Sequence, residues 1–244
     1  VDMGKFKHAI VVGASSGIGR EIALQLAAQG CQVAAVARRG SKLDELAAEH
    51  PGRILPIVHD VTNYDEVPSV FQDVTGKLGG LDLIVYASGV MPSVEVDEFD
   101  FSKDRSMVET NFLGAIAWLN EAGVRFKNTG HGSIVGIGSV AGDRGRMKQP
   151  VYNASKAALA TYLEALRNRL TRYGVKVVTI KPGPVRTDMT AGLGFKGAME
   201  PDVAASLILK KANRTGEHYL SIKHAIAFAI IRNIPSWVFR RLNV

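Results

Sequence analysis

The stretch VVGASSGIGR (residues 11–20) places Gly13, Gly17 and Gly19 within ten residues, between an apolar run and a helix-like run, EIALQLAAQG. Glycine is favoured where the backbone takes a positive φ, or where another backbone or a ligand must come close. A tight strand–helix turn with close packing would use these glycines. So would a dinucleotide site, in which the free N–H groups of the helix's first turn face a pyrophosphate. The loop follows the first strand and opens the first helix, which favours the dinucleotide.

Working outward, short β-branched runs recur: HAIVVG, QVAAVA, RILPIV, LDLIVYA, GSIVGIG, VKVVTIK and HYLSI. Each has the length and composition of a buried strand. Helical patterns lie between most of them, at residues 17–29, 41–49, 63–78, 101–126 and 151–173. Alternation of this kind predicts an α/β fold, a doubly wound Rossmann-type domain with a seven-stranded parallel sheet. No repeat, linker or composition shift divides the chain, so one domain is expected over residues 1–244, with an apolar, basic tail at 223–244.

The second strand selects the dinucleotide. An NAD site commonly has an acidic residue about 20 residues past the glycines, holding the ribose 2′-hydroxyl. Here AVARRG puts Ala37 at that point, followed by Arg38 and Arg39. A carboxylate would repel a 2′-phosphate, whereas a guanidinium binds one through charge-assisted hydrogen bonds. NADP(H) is therefore the expected cofactor, with Arg20 adding positive charge at the first turn of the helix. Asp60, after the third strand, suits either the adenine amino group or a cap for the helix near Asn63.

A second constellation carries chemistry. VYNASKAAL places Tyr152 and Lys156 four apart, on one helix face. A nearby ammonium favours the phenolate and moves a phenol of pKa ~10 toward the working range of an acid–base catalyst. Ser139 closes the strand SIVGIGS, 13 residues before Tyr152, where open α/β sheets place their sites. Asn111, in VETNFLGA, is a polar residue in an apolar-faced helix and so either a structural tie or part of a proton path.

The glycine loop, Asn111, Ser139, Tyr152 and Lys156 together resemble the classical short-chain dehydrogenase/reductase family, in register over residues 5–222. LDLIVYASG and KPGPVRTDM match further family positions, and AVARR resembles its NADP-preferring members. The resemblance implies a ketone–secondary alcohol oxidoreductase in which Tyr152 passes the proton and Ser139 orients the substrate oxygen. Lys156 would lower the tyrosine pKa and bind the nicotinamide ribose, and Asn111 would hold a water linking Lys156 to solvent. The cofactor would lie against Gly13, Ser15, Ser16, Gly17, Ile18, Gly19, Arg38, Arg39, Asp60 and Val61. On the other side it would meet Ala87, Gly89, Tyr152, Lys156, Pro182, Gly183, Val185 and Thr187, the last at the carboxamide. No metal is implied. A homodimer or homotetramer, paired through the helices bearing Asn111 and Tyr152, is implied. Two departures stand out: Val12 replaces the family's usual Thr, and Tyr86-Ala87-Ser88-Gly89 replaces its usual Asn-Asn-Ala-Gly.

The surroundings bear on the substrate. Arg144, Arg146 and Lys148 lie in segment 141–149, either facing an anionic substrate group or solvated. Segment 189–199, with three glycines, Leu193 and Phe195, suits a lid over an apolar or lipid-like substrate. A small or sugar-like ketone, and an NADP-sensing protein without catalysis, are the competing readings; retention of Tyr152 and Lys156 counts against the second.

The net charge of +7 is concentrated at the end: no acid follows Glu217, while Lys223, Arg232, Arg240 and Arg241 follow it. Charges elsewhere are mixed, which argues against a nucleic-acid face. The tail HAIAFAIIRNIPSWVFRRLNV is too short and interrupted to span a bilayer, for which roughly 18 apolar residues are needed. It suits either peripheral membrane contact or packing against the domain or a partner subunit. A lone cysteine, Cys31, in a buried-strand context, and no apolar leader before the first strand, fit a cytoplasmic location.

Overall fold

The computed structural model describes residues 6–195 and 197–242. The extremes of the expected 1–244 domain and 223–244 tail, and Lys196 of the 189–199 segment, lie outside the described residues. Seven strands form one sheet: β1 (His8–Val12), β2 (Gln32–Ala37), β3 (Ile54–Val58), β4 (Leu83–Tyr86), β5 (Gly132–Ile137), β6 (Val175–Lys181) and β7 (Gly216–Tyr219). Their order is β3-β2-β1-β4-β5-β6-β7 and every pairing is parallel, as the alternating pattern requires. The order reverses between β1 and β4, the switch point at whose carboxyl edge such sheets take their ligands.

Strand side chains alternate between two cores. Ala9 and Val11 of β1 face a cluster shared with α1 (Gly17–Ala28), α2 (Gly40–Glu49) and α7 (Pro201–Lys211). Ile10 and Val12 face the opposite cluster, with α3 (Val67–Leu78), α5 (Gly114–Thr129) and α6 (Pro150–Leu170). Because both faces are covered, the strands read as continuous apolar runs. Each fully buried Val, Leu or Ile contributes about 1.5–3 kcal/mol.

Three expected elements differ. The helix expected over 101–126 is α4 (Phe101–Val108), a π segment (Glu109–Leu113) and α5. Its start is fixed by Asp100, which accepts hydrogen bonds from the N–H groups of Ser102 and Lys103. The helix expected from 63 opens with a 3₁₀ turn (Tyr64–Glu66), so α3 starts at Val67, with Pro68 in its first turn where no N–H is needed. The last strand is shifted two residues upstream of HYLSI and ends at Tyr219, because the chain turns into α8 (Ile222–Asn233) directly after Ser221. A short α9 (Ser236–Phe239) follows Pro235.

Candidate active site

The glycine loop crosses from β1 to α1 at the switch point. Gly13 has φ +92, and a Cβ there would stand 2.5 Å from the Ser88 backbone nitrogen. A Cβ on Gly19 would stand 2.2 Å from the Gly13 carbonyl oxygen. Both glycines therefore have packing reasons of their own. Gly17 differs: its neighbour is the Thr187 methyl group, 2.9 Å from a Cβ placed there. The loop and the strand-six turn thus meet across the cleft at Gly17 and Thr187. Ile18 packs onto the core beneath.

Above the loop, Arg39 donates to Ser15 Oγ from Nε and Nη2, at 3.1 and 2.9 Å, and to Ser16 Oγ at 2.6 Å. Arg38 is exposed, its Nη1 3.5 Å from Asp60 Oδ2. Asp60 does not cap the following helix. Its Oδ1 instead accepts from the Thr62 N–H and hydroxyl, at 3.0 and 2.9 Å. Burial would raise that carboxyl, but these bonds and Arg38 hold it below the ordinary range. Arg20 corrects an expectation: it is ion-paired with Glu21 and Glu49 and so adds no free charge at the loop.

Helix α6 carries Tyr152 and Lys156 on one face. Lys156 is buried; its Nζ donates to the Ile137 carbonyl at 3.0 Å and lies 5.8 Å from the Tyr152 ring centre. Burial lowers the ammonium to about 8. The Tyr152 phenol is raised by desolvation, against opposing influences from Ser139 and Arg146. The lowering expected from Lys156 does not enter; desolvation of the phenol dominates. Ser139 Oγ accepts from the Ala141 N–H at 3.0 Å, leaving the hydroxyl proton free to donate.

Asn111 sits in the π segment, fully buried. Its Oδ1 accepts from the Val90 N–H at 2.7 Å, and Nδ2 donates to the Val90 carbonyl at 3.0 Å and Ser155 Oγ at 3.1 Å. The side chain is therefore a structural tie between the β4 turn and α6. A Cβ on Gly89 would stand 3.3 Å from Asn111 Oδ1 and 3.5 Å from Lys156 Nζ, so that turn closes over the pair. Ala87 donates from its N–H to the Val12 carbonyl at 2.8 Å, and Val61 is buried against Gly114. Pro182 accepts at its carbonyl from the Val140 N–H at 3.1 Å, joining the strand-six turn to the Ser139 loop. Val185 accepts from Thr190 Oγ1 at 2.6 Å, and the same hydroxyl accepts from the Thr187 N–H at 3.0 Å.

The basic loop divides. Arg144 turns away from the cleft: Nη1 donates to the carbonyls of Ile231, Arg232 and Ile234 at 3.1, 3.0 and 2.8 Å. Lys148 is exposed. Arg146 is half-buried, donates to Asn153 Oδ1 at 3.2 Å, and has a buried Nε without a partner among the described residues. The sequence reading missed a buried charge network. Lys181, closing β6, pairs with Asp143 at 2.5 Å and Glu217 at 2.8 Å, and Tyr219 donates to Asp143 at 2.6 Å. The signal was a lysine ending a buried strand, which demands a carboxylate partner. Also unforeseen, the His224 ring covers Gly183: a Cβ there would lie 2.0 Å from His224 Cε1.

Residues 7–196 match the family described as short chain dehydrogenase. An uncharacterized oxidoreductase of Myxococcus xanthus is 36% identical over 193 residues, 78% of this chain and 76% of that protein. Another from Staphylococcus saprophyticus is 33% identical over 209 residues, 83% of this chain and 89% of that protein. Among solved structures, a short-chain dehydrogenase from Streptomyces avermitilis superposes with a TM-score of 0.82 at 28% identity, covering 93% of this chain and 92% of that one. A Burkholderia cenocepacia short chain dehydrogenase, solved in complex with NADP, shares the fold at 22% identity, with a TM-score of 0.84 and 98% of both chains covered. The seven-stranded parallel sheet agrees with these matches, and the chain belongs to the short-chain dehydrogenase family of oxidoreductases.

Proposed function

We propose that the protein is an NADP(H)-dependent oxidoreductase that interconverts a ketone and a secondary alcohol, with an apolar or lipid-like substrate. The observation that carries this reading is the placing of the Tyr152 ring 5.8 Å from the buried Lys156 Nζ, on the helix that faces the Ser139 turn, where the Ser139 hydroxyl keeps its proton to donate. A phenol is a neutral acid at ordinary pH and suits proton delivery in the direction of reduction. Ser139 donates to the carbonyl oxygen and polarises it, and Tyr152 delivers the proton to that oxygen as it becomes an alkoxide. Lys156 keeps positive charge near the phenol as its proton leaves.

The residues present fit a phosphorylated dinucleotide. Arg38 and Arg39 stand at the end of β2 with no acid at Ala37, and Arg39 lies over Ser15 and Ser16 of the glycine turn. Gly13, Gly17, Ile18 and Gly19 would take the pyrophosphate and Asp60 with Val61 the adenine. Ala87, Gly89, Pro182, Gly183, Val185, Thr187, Tyr152 and Lys156 would hold the nicotinamide half. When bound, that cofactor supplies or accepts the hydride. The NADP complex of the Burkholderia relative agrees with this choice.

Exposed Leu193 and Phe195 beside the cleft favour an apolar substrate over a sugar-like one. The reading includes a small-molecule substrate, a cytoplasmic homo-oligomer and peripheral membrane contact through the apolar, basic tail. The test follows NADPH oxidation on ketones from short and sugar-like to long-chain, with NADH and Tyr152→Phe alongside. Turnover that prefers NADPH and long-chain ketones, and drops at least about a hundredfold in the variant, supports the reading. An unchanged rate in Tyr152→Phe overturns it.

A further inference from the structure

Helix α8 has an inner and an outer face. On the inner face His224 covers Gly183, and Phe228 and Ile231 are half-buried. Its C-terminus is pinned by Arg144, which binds three of the last carbonyls and stacks 4.4 Å over the ring of buried Phe239. The outer face is apolar and open: Ile222, Ile226 and Ile230, four residues apart, are 80%, 60% and 62% exposed. Beyond Pro235, Trp237 in α9 is 60% exposed and Leu242 is 42% exposed. A stripe of large side chains this open is not a folding core, and none of the α8 residues is fully buried.

Charge identifies the occupant. Lys223, Arg240 and Arg241 are exposed along this stretch, and no acidic residue follows Glu217. A second copy of the chain would bring like cations face to face. An aromatic and aliphatic stripe edged by cations matches the acyl boundary and phosphates of a bilayer. No helix among the described residues is long and apolar enough to cross a membrane, so contact would be with the surface. We propose that the outer face of α8 and α9 docks on an anionic lipid surface.

The dock is mechanically joined to the cleft. Arg144 is five residues past Ser139 and grips α8, and Asp143 beside it ties to Lys181 and Tyr219. His224, on the same helix, covers Gly183 of the strand-six turn. Docking would therefore seat the bilayer on the far side of a helix whose inner face covers the strand-six turn. This deepens the apolar-substrate reading and rests on it only for the identity of what is delivered.

The test is co-sedimentation of the full chain with vesicles of phosphatidylcholine alone, or with a third phosphatidylglycerol, at low and high salt. Two double variants accompany it, Ile226→Ser with Ile230→Ser, and Arg240→Glu with Arg241→Glu. All four positions are exposed, so folding should survive; circular dichroism and thermal unfolding of the same samples check this. Binding to the anionic vesicles that falls at least about tenfold in both variants, and weakens with salt in the wild type, is expected. Absence of binding, or binding that survives both variants, overturns the proposal. So does a wild-type dimer that the isoleucine variant dissociates, since a second copy would then cover the face. Vesicle binding requires no turnover, so loss of the reductase reading leaves this result separately readable.

Discussion

The hydroxyl of Tyr86, at the end of β4, donates a 2.6 Å hydrogen bond to the carbonyl of Thr110 in the π segment. Tyr86 is fully buried, and Gly114 leaves room for it: a Cβ there would stand 2.6 Å from the phenolic oxygen. The bond fixes the carbonyl next to Asn111, whose side chain then ties Val90 to Ser155. Where family members usually have asparagine, this chain braces the central sheet against the π segment with a phenol.

Tyr86→Phe should therefore destabilise the fold by about 1–3 kcal/mol, because it strips a partner from a buried carbonyl without opening a large cavity. A lowered urea midpoint with an unchanged slope is the expected result. A midpoint equal to wild type would mean that the bond contributes nothing.

The buried Lys156, lowered to about 8, makes stability depend on pH. An unfolded lysine titrates near ~10.4, so between about 8 and that value the unfolded chain binds the extra proton. The sign follows: the penalty of burying the cation is fully present below about 8 and is relieved as pH rises through that window. Denaturation of wild type and Lys156→Met across the window should show the wild type gaining on the variant. A constant difference would contradict this.

Cofactor choice should respond to the two arginines at the end of β2. Arg38→Ala and Arg39→Ala should each raise KM for NADPH about tenfold or more, the loss of one charge-assisted hydrogen bond, while leaving KM for NADH nearly unchanged. A parallel rise for both cofactors would place these side chains away from the 2′-phosphate.

Lys181→Met should cost about 3–5 kcal/mol, since it leaves the buried Asp143 carboxylate without its cation. Thermal unfolding measures the cost. Lys181→Met combined with Asp143→Leu should recover much of it, because the uncompensated charge is then gone.

The sequence by itself determined the elements and their order. Strand and helix periods, the glycine turn and the four-residue step from Tyr152 to Lys156 are properties of neighbours along the chain. Nearest-neighbour chemistry also placed Ser139 at a strand end, whereas the sheet's reversal at β1 and β4 is a tertiary outcome that alternation alone leaves open. Only the tertiary structure decided which distant side chains meet. Arg144, read as part of a basic loop, binds carbonyls almost ninety residues away, while Arg146 beside it stays near Tyr152. Lys181 finds Asp143 and Glu217, and Tyr86 finds Thr110, across gaps that no local pattern spans. Tyr152 is pushed up rather than down for the same reason: its titration is set by burial, which is a property of the packed fold and of no single segment.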